Sequence, residues 1–525
     1  MLLGAIQMSG DTLQILLTMV VYMLIIIGIG IFFAKRSQKS SKEFFLGGRS
    51  LGPWVTAMSA EASDMSGWLL MGLPGVAYWC GIADAFWTAL GLALGTYINW
   101  LLVARRLRSY SAISGDAITL PDFLSNRHHE KRKVILSVAA IFILVFFTVY
   151  AASCFVTCGK LFGTLFGLDY HVMMIIGAIF VLLYTFLGGF LAESVSDFMQ
   201  AIVMVCALIA VGVVGTIHAG GIDAVIENAK AIPGYFSLTS IATPSSGENG
   251  ATIFGAAAPY GLLTIISTLS WGLGYFGMPQ VLLRFMAIRD GREIKRSRRI
   301  ATVWVFVSLA AAVFIGLIGR SLFQTSEVLN SAGGAENVFI ELSRTYFPPI
   351  LAGLVMAGIL AATISSSDSY LLIASSAFSK NLWGGVIRKK ASDKEVMWVS
   401  RIVLLVIALI GMILAWNEDS VIFTLVSFAW AGFGATFGPV MLFSLFWKRM
   451  TKAGTIAGMV TGGVMVFVWN LLVRPLGGIV DIYELFPAFV LSCIAIVVVS
   501  LITKKPEQDV LDEFEAAKAE AKSYK

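Results

Sequence analysis

The chain has 525 residues, of which 58% are hydrophobic and 13% charged, and its formal net charge is +6. Soluble domains carry about 25% charged residues, so a chain with about half that share is expected to be solvated by lipid. The composition excludes an ordinary soluble protein. The net positive charge does not indicate nucleic-acid binding, because the basic residues are sorted between loops, as in membrane proteins.

Apolar stretches follow one another along almost the whole chain. A helix needs about 20 apolar residues to cross a bilayer, so the sequence predicts an all-α integral membrane protein with about thirteen transmembrane helices. The predicted spans cover residues 13–34, 53–79, 82–103, 134–160, 171–190, 192–217, 256–287, 300–322, 347–379, 396–416, 420–446, 453–473 and 483–503. Residues 1–505 are expected to form one polytopic domain, and residues 506–525 a solvated, amphipathic and charged cytoplasmic tail.

Two of the predicted spans are interrupted near their middle. Residues 62–67 read Ala-Ser-Asp-Met-Ser-Gly, and residues 272–279 read Gly-Leu-Gly-Tyr-Phe-Gly-Met-Pro. A membrane helix gives up backbone hydrogen bonds only where protein or a cavity replaces them. Paired interruptions at corresponding places in the two halves of a chain are the best sequence indication of a transport site. The sequence therefore predicts two discontinuous helices beside a transported solute.

Few ionisable side chains lie within the spans, where each costs several kcal/mol unless it faces a polar cavity or a partner. Asp64, Asp197 and Asp368 fall inside predicted spans. Glu61 and Glu193 lie nearer the span ends, where a snorkelling or capping carboxylate is as well supported as a functional one. The three aspartates are therefore the charged candidates for a functional site.

Residues 361–369 of the ninth span read Ala-Ala-Thr-Ile-Ser-Ser-Ser-Asp-Ser. Ser365, Asp368 and Ser369 share one helix face because they are three and four positions apart. A single membrane serine usually bonds to a carbonyl of its own helix, but a run of hydroxyls with a carboxylate favours a binding role. A small hard cation takes oxygen ligands, so this face is a candidate cation site.

Aromatic and hydroxyl groups from several spans are predicted to lie at one depth. At a rise of about 1.5 Å per residue, Trp68, Tyr275 and Ser365 lie about 21 to 22 Å from the cytoplasmic ends of their spans, and Tyr150 about 25 Å. Asp64 is shallower, at about 16 Å. A bound solute is therefore expected near the middle of the membrane.

Lys and Arg residues are unevenly divided between the connections. Of the 38, 32 lie in the tail and in alternate loops, which we call the basic connections. The basic connections are residues 35–49, 105–133, 288–299, 380–401, 448–452 and 504–525. Because positive residues favour the cytoplasmic side, we expect a multi-pass protein of the cytoplasmic membrane with its N-terminus outside and its C-terminus in the cytoplasm.

No catalytic domain is expected outside the spans, and no HExxH, GxSxG or P-loop pattern occurs in the sequence. Those patterns identify metalloproteases, serine hydrolases and nucleotide-driven pumps. The sequence therefore does not support an enzyme or an ATP-driven pump, and it indicates no obligate protein partner.

Four separated motifs resemble those of the sodium/solute symporter family. They are SAEASDMSGWLLMGLPG (59–75), YTFLGGFLAESVSDFMQA (184–201), SWGLGYFGMPQVLLRFMA (270–287) and GILAATISSSDSYLLIASSAFSKNL (358–382). Within the family they are most similar to the bacterial sodium/proline symporters. The resemblance covers nearly all the spans and implies a core of five helices plus five inverted ones. The implied repeats are residues 53–217 and 256–446, with extra helices at 13–34, 453–473 and 483–503.

The resemblance implies a site for co-transported sodium. Its ligands fall on the backbone carbonyls of Ala62, Met65 and Ala362 and on the hydroxyls of Ser365 and Ser366. Asp64 resembles an aspartate beside that site, which is expected to stabilise the unwound turn and the charge of the ion. Serine replaces the threonine that proline-transporting members often have at position 366, and both supply a hydroxyl.

A second cation site is also implied, because Asp197 resembles an aspartate associated with sodium release or a second cation. Asp368 and Ser369 are its expected partners in such a site. An Asp197 that only holds helices together is equally compatible with the sequence.

The substrate residues implied by the resemblance are Trp68, Tyr150, Trp271, Tyr275 and Pro279. Aromatic faces suit the ring and the ammonium of L-proline, and the N-termini of half-helices suit its carboxylate. Met278 and Gln280 flank Pro279 where proline-transporting members usually place polar residues such as glutamine and histidine, so the exact solute stays open.

The sequence-based hypothesis is a secondary transporter in which a sodium gradient drives uptake of L-proline by alternating access. Alternatives within the class are another amino acid, a betaine, pantothenate, a sugar or a sialic acid as the solute, and protons as the coupling ion. A channel or a membrane sensor is the alternative from another class. The sequence leaves open the affinity, the stoichiometry, the oligomeric state and the role of the tail.

Overall fold

The structure, a computed structural model, describes residues 9–37 and 40–524. Within these residues it contains twenty α-helices and four short β-strands. Helices α1 to α20 are Gly10–Ser37, Ser41–Leu46, Pro53–Asp64, Leu73–Cys80, Ile82–Ile113, Leu120–Asn126, Val134–Phe166, Tyr170–His218, Ile222–Ala231, Leu262–Leu269, Pro279–Ala287, Ile294–Leu322, Ala332–Ala335, Val338–Tyr346, Pro349–Ser376, Asp393–Leu414, Ile422–Phe446, Lys452–Val468, Leu485–Ile502 and Gln508–Ser523.

Shorter helical segments and strands join these helices. The π-helical segments are Trp68–Gly72, Ala377–Ile387 and Trp469–Val473. The 3-10 segments are Gly47–Arg49, Glu248–Gly250, Ser270–Phe276, Gly291–Glu293, Arg474–Leu476 and Gly478–Val480. Strands β1 to β4 are Ser240–Ile241, Pro244–Ser246, Thr252–Phe254 and Ala258–Pro259, and they pair antiparallel as β1 with β4 and β2 with β3.

The membrane architecture predicted from hydropathy is confirmed. Among the described residues, ten helices are long and apolar enough to cross a membrane. Three shorter apolar helices are Trp68–Cys80, Tyr170–Phe186 and Leu262–Phe276. The number thirteen itself stays a prediction.

The predicted spans 171–190 and 192–217 both lie in α8, which changes direction between them. Gly189 leaves the helical conformation with φ 67° and ψ 172°. A positive φ of this kind costs a glycine little, because glycine has no Cβ to clash with the backbone. One glycine therefore separates the two halves of the longest helix.

The two predicted helix breaks are confirmed. The first begins where α3 ends at Asp64, because Met65 (φ −85°, ψ 75°) is not helical, and the chain continues through the π-helical segment into α4. The second lies after the 3-10 segment Ser270–Phe276, because Met278 (φ −72°, ψ 110°) is extended. Pro279 then starts α11, a position where its missing N–H costs no helical hydrogen bond.

Helix α5 packs directly against the second break. A Cβ added to Gly272 would lie 2.2 Å from the carbonyl oxygen of Gly91, and a Cβ added to Gly95 would lie 2.3 Å from the carbonyl oxygen of Gly272. Only glycine allows two backbones to approach this closely. These glycines therefore place the broken helix against a continuous one.

Two connections form one end of the bundle, which we call the opposite face. Residues 219–261 carry the strands, and residues 323–348 lie against them: Ser246 Oγ donates to the carbonyl of Asn330 at 2.6 Å, and Asn330 Nδ2 donates to the carbonyl of Gly247 at 2.9 Å. The other end, which carries α6, the α11–α12 connection and α20, is called the basic face.

Helix α20 packs on α5 at the basic face. Its buried residues are Val510, Phe514, Ala517 and Ala521. Ser109 Oγ lies 3.0 Å from Ala517 O and 2.9 Å from Glu520 Oε2, and the guanidinium of Arg127 lies 5.4 Å from the ring of Phe514. The tail is therefore not fully solvated as expected: it is a docked helix whose apolar side is covered by the bundle, because four apolar residues lie on that side.

His129 pairs with two carboxylates of α20. Its Nδ1 lies 2.9 Å from Asp509 Oδ2 and its Nε2 lies 3.0 Å from Glu513 Oε1. Partial burial disfavours the charged ring, but the hydrogen bonds and charges of the two carboxylates outweigh it and raise the pKa of His129 above its ordinary value. Charged His129 therefore holds α20 at low pH, and the contact weakens as the pH rises through the raised pKa.

We expect hydrogen exchange in residues 508–523, corrected for intrinsic rates, to increase as the pH is raised from about 5 to about 9. His129→Gln, which cannot be charged, should show fast exchange at both ends of this range. His171→Gln is the matched control, because His171 also lies beside a carboxylate, 3.7 Å from an oxygen of Asp169, but away from α20. Equal protection of α20 across the range in the unsubstituted protein contradicts this account.

Candidate transport site

The first break and α15 bring together most of the predicted sodium ligands. Ser365 Oγ lies 2.8 Å from the carbonyl oxygen of Ala62 and 3.2 Å from that of Ala362. Ser366 Oγ lies 3.3 Å from the same Ala62 oxygen. All four residues are fully buried. Two carbonyls and two hydroxyls from two helices therefore form one connected group of oxygens.

The break explains why the Ala62 carbonyl is free. In a continuous helix its oxygen would accept from the N–H of Ser66, four residues on. Here the N–H of Ser66 instead donates to the carbonyl of Asp64 at 3.1 Å. The hydroxyls of α15 take the vacated acceptor, which is the substitution that a broken membrane helix requires. Met65, the fifth predicted ligand, is the residue at which the helix stops.

Asp64 connects the two breaks. Its Oδ1 accepts from Gln280 Nε2 at 3.2 Å, and its backbone carbonyl lies 3.5 Å from the hydroxyl of Tyr150. The other carboxylate oxygen, Oδ2, is buried and has no hydrogen-bond partner within the described part of the chain. A buried carboxylate is costly unless a positive group or a donor lies beside it. This oxygen is therefore free to face a cation.

Aromatic residues from both breaks and from α7 are buried near the two breaks. The rings of Trp68 and Trp271 are 6.1 Å apart, and Tyr275 meets Trp430 edge-on at 5.0 Å. Tyr150, from α7, instead stacks on Tyr370 at 4.2 Å. Trp68 Nε1 and the Tyr275 hydroxyl are buried without a partner among the described residues. The site therefore combines apolar ring faces with unsatisfied polar atoms.

Pro279 lines a different space on the side of the basic face. It shares a narrow cavity of about 10 Å³ with Phe45, Ile143 and Leu372, which is about the room of one water. On the opposite face a wider cavity of about 540 Å³ is lined by residues that include Lys160 and Asn337. Trp68, Tyr150, Trp271 and Tyr275 are at most 3% exposed. The aromatic site is therefore closed to solvent in this conformation.

Two supporting residues were missed by the sequence analysis. Asn99 Nδ2 donates to the carbonyl of Tyr275 at 3.0 Å, and Trp430 Nε1 donates to the carbonyl of Trp271 at 2.8 Å. The Tyr275 carbonyl has no helical partner, because the residue four positions on is Pro279, which has no N–H. A polar Asn inside an apolar span was a usable signal, whereas Trp430 looks like any core tryptophan.

Arg284 lies among the residues of the predicted second cation site. It forms ion pairs with Glu193 and, at 3.1 Å, with Asp197. Its guanidinium also donates to Ser59 Oγ at 3.0 Å and to Ser369 Oγ at 2.9 Å. Arg284 is fully buried, so α3, α8, α11 and α15 all meet at one guanidinium. The sequence analysis did not single out this arginine.

The carboxylates of this cluster are not fully paired. Asp197 Oδ2 accepts from Ser59 Oγ at 2.7 Å, but Asp197 Oδ1 has no partner among the described residues. Asp368 Oδ1 accepts from the backbone N–H of Ser369 at 2.8 Å, and its Oδ2 is likewise unpartnered there. Two acidic side chains, Glu193 and Asp197, therefore pair with Arg284, and Asp368 adds a further carboxylate with an unpaired oxygen.

A second network lies between the aromatic site and the opposite face. Lys160 Nζ pairs with Glu336 Oε2 at 2.7 Å and donates to the carbonyl of Ser420 at 2.7 Å. Glu336 accepts from the N–H groups of Ile422 and Phe423, both at 2.9 Å, at the start of α17. The ring of Phe423 packs 5.3 Å from that of Trp271, so this network contacts the aromatic site through Phe423.

Two facing helix breaks with an oxygen-rich neighbour define a secondary transporter with discontinuous helices. The sequence profile described as the sodium:solute symporter family matches residues 44–462. The chain belongs to this family, and the resemblance stated from the motifs is confirmed.

Similar proteins cover nearly the whole chain. The sodium/proline symporters of Salmonella typhimurium and Escherichia coli are each 44% identical, over 508 and 506 residues, covering 96% of this chain and of each relative. That of Staphylococcus aureus strain USA300 is 41% identical over 499 residues, covering 94% of this chain and 93% of the relative.

The fold also matches a solved structure. A substrate-bound, outward-open Na⁺-coupled sialic acid symporter superposes with a TM-score of 0.75 at 18% identity, covering 94% of this chain and 99% of that one. At this identity the likeness supports the fold alone.

Proposed function

We propose that the protein is a sodium-coupled symporter that drives uptake of L-proline across the cytoplasmic membrane by alternating access. The observation that carries the proposal is the meeting of the Ser365 and Ser366 hydroxyls with the freed carbonyl of Ala62, beside Asp64. Relatives named sodium/proline symporters, at 41% and 44% identity over nearly the full chain, support proline as the solute. The protein performs transport without a chemical reaction.

In the proposed sodium site, the carbonyls of Ala62, Met65 and Ala362 and the hydroxyls of Ser365 and Ser366 are the ligands. These are the oxygen donors that a hard cation takes. Asp64 supplies negative charge without competing for the ligand positions. A bound ion takes ligands from both helices, in place of the hydrogen bonds from the Ser365 and Ser366 hydroxyls to the Ala62 carbonyl. It therefore fixes α15 against the end of α3.

In the proposed substrate site, the proline ring packs against Trp68 and Trp271, with Tyr150 and Tyr275 at its polar edge. The N-termini of the half-helices near the breaks present N–H groups to the carboxylate of proline. Pro279 lies toward the basic face, on the release side. Because sodium fixes the first break, which carries Trp68, sodium and proline must each raise the affinity for the other by the same factor.

We also propose the membrane orientation and the repeat boundaries given by the sequence. The N-terminus lies outside, and the basic face with α20 lies in the cytoplasm, as the basic connections predict. The repeats cover residues 53–217 and 256–446. In this orientation the Lys160–Glu336 network lies on the entry side and the narrow cavity at Pro279 on the release side.

The second cation remains a hypothesis, with two physical arguments. In its favour, the buried cluster leaves one oxygen of Asp197 and one of Asp368 without a partner among the described residues. Against it, Arg284 already pairs with Asp197 and Ser369, and within the described residues no group of three or more His, Cys, Asp or Glu is placed to hold a metal ion. The sodium-to-proline ratio, measured from reversal potentials in vesicles, separates one bound sodium from two.

Uptake of labelled proline into proteoliposomes tests the proposal. We expect saturable accumulation with an inward sodium gradient and none with potassium or with a proton gradient in sodium-free medium. Unlabelled amino acids, betaine, pantothenate, sugars and sialic acid serve as competitors. Trp68→Leu should abolish accumulation, while Trp398→Leu, at a 63% exposed position, should not. Accumulation driven equally by potassium or protons, or unaffected by excess proline, overturns the proposal.

A further inference from the structure

Gln280 is a buried polar residue at the junction of the two breaks. It follows Pro279 at the start of α11 and is fully buried. Its Nε2 donates to Asp64 Oδ1 at 3.2 Å, across 216 positions of sequence. Its backbone carbonyl accepts from Arg284 Nη1 at 3.2 Å. One residue thus contacts the carboxylate beside the predicted sodium ligands and the arginine of the second cluster.

The amide of Gln280 is oriented by this hydrogen bond. A carboxylate only accepts, so the NH₂ group must face Asp64 and the carbonyl oxygen must point elsewhere. That oxygen, Oε1, is buried and has no hydrogen-bond partner within the described residues. A buried carbonyl oxygen without a donor is unfavourable, and each such group in a folded protein requires an explanation.

We infer that Gln280 is a substrate-binding residue whose Oε1 accepts a hydrogen bond from the ammonium group of the transported amino acid. This inference rests on the proposed function, since it requires a substrate with a charged N–H donor. The aromatic faces of the proposed substrate site attract a cation without accepting its hydrogen bonds. Gln280 supplies an acceptor, and through Nε2 it connects the substrate to Asp64.

The orientation of the amide also limits which substrates this residue can select. A glutamine held by Asp64 presents an acceptor oxygen of fixed orientation, because turning the amide would bring two oxygens together. The substrates selected by this residue are therefore those with an N–H donor on the cationic nitrogen.

Binding of proline and of N,N-dimethylproline to purified protein in saturating sodium tests the inference. The dimethyl compound keeps the ring, the positive charge and the carboxylate but lacks an N–H donor. A hydrogen bond to a charged group corresponds to about a 10- to 100-fold change in affinity. We expect the unsubstituted protein to bind proline more tightly than the dimethyl compound by about this factor, beyond any steric effect. We expect Gln280→Met to bind proline more weakly by about this factor, with its affinity for the dimethyl compound unchanged.

Gln280→Leu provides a second apolar variant in case one of the two is unstable, and thermal melting monitors folding of both. Asn381→Leu is the matched control, since Asn381 also donates a buried amide N–H to an aspartate, at 2.9 Å from Asp122 Oδ1. The control should keep the full preference for proline. An equal loss for both compounds in both Gln280 variants overturns the inference, because it shows a purely structural role.

The proposed function fails in a different way. If the unsubstituted protein binds no proline in sodium, the symport proposal itself is rejected. If it binds proline in a sodium-dependent manner and the two compounds respond alike to the Gln280 substitutions, only the role of Gln280 is rejected.

Discussion

Replacing Asp64 by alanine is expected to abolish sodium-stimulated uptake while leaving the protein in the membrane. The carboxylate lies at the end of α3, next to the freed carbonyl of Ala62, and one of its oxygens has no partner among the described residues. At an effective dielectric constant of about 20, a unit charge about 4 Å from the ion contributes about 4 kcal/mol. Its loss corresponds to a decrease in sodium affinity of up to about 1,000-fold.

The measurement is initial uptake of labelled proline as a function of sodium concentration, normalised to the amount of protein in the membrane. Asp84→Ala is the matched control, because Asp84 accepts a hydrogen bond from the Tyr260 hydroxyl at 2.8 Å, away from both breaks. The control should keep its sodium stimulation. Undiminished sodium stimulation in Asp64→Ala rejects the assignment of this carboxylate.

Replacing Arg284 by methionine is expected to cause the largest loss of stability. Removal of the guanidinium leaves Glu193 and Asp197 buried without their positive partner. Breaking a buried ion pair by removing one partner costs about 3 to 5 kcal/mol. Four helices meet at this side chain, so both the yield of folded protein and the melting temperature should fall, the latter by roughly 5 °C or more.

Thermal melting of the purified protein in detergent measures this effect. Arg292→Met is the control, because Arg292 is an exposed arginine that pairs with Asp290 at 2.7 Å, and exposed pairs contribute little. Adding Glu193→Gln and Asp197→Asn to Arg284→Met should recover part of the loss, since no unpaired charge then remains from these pairs. A melting temperature for Arg284→Met equal to that of Arg292→Met contradicts the account.

The helix breaks could be predicted because their causes are local. Serine, glycine and proline within apolar segments weaken the helix at the same residues where it stops, at Met65 and before Pro279. The hydroxyl face of α15 could be predicted for a similar reason, since Ser365 and its neighbours follow from helical spacing. The contact between that face and Ala62 depended on the family resemblance.

The contacts that support the site could not be predicted, because they join distant positions through single side chains. Arg284 lies 91 and 87 positions from its two acidic partners, and no spacing rule connects them. Asn99 and Trp430 donate to backbone carbonyls, which leave no trace in the sequence of the acceptor. The apolar side of α20 was visible from its pattern, but the surface that covers it was not.

Proline binding to the purified protein at a series of sodium concentrations tests the central claim most directly. If one oxygen-lined site holds sodium beside a pocket that shares the same broken helix, the dissociation constant for proline must fall as sodium rises, and proline must tighten sodium binding by the same factor. Ser365→Ala should remove this mutual dependence. A proline affinity that is the same with and without sodium contradicts the account.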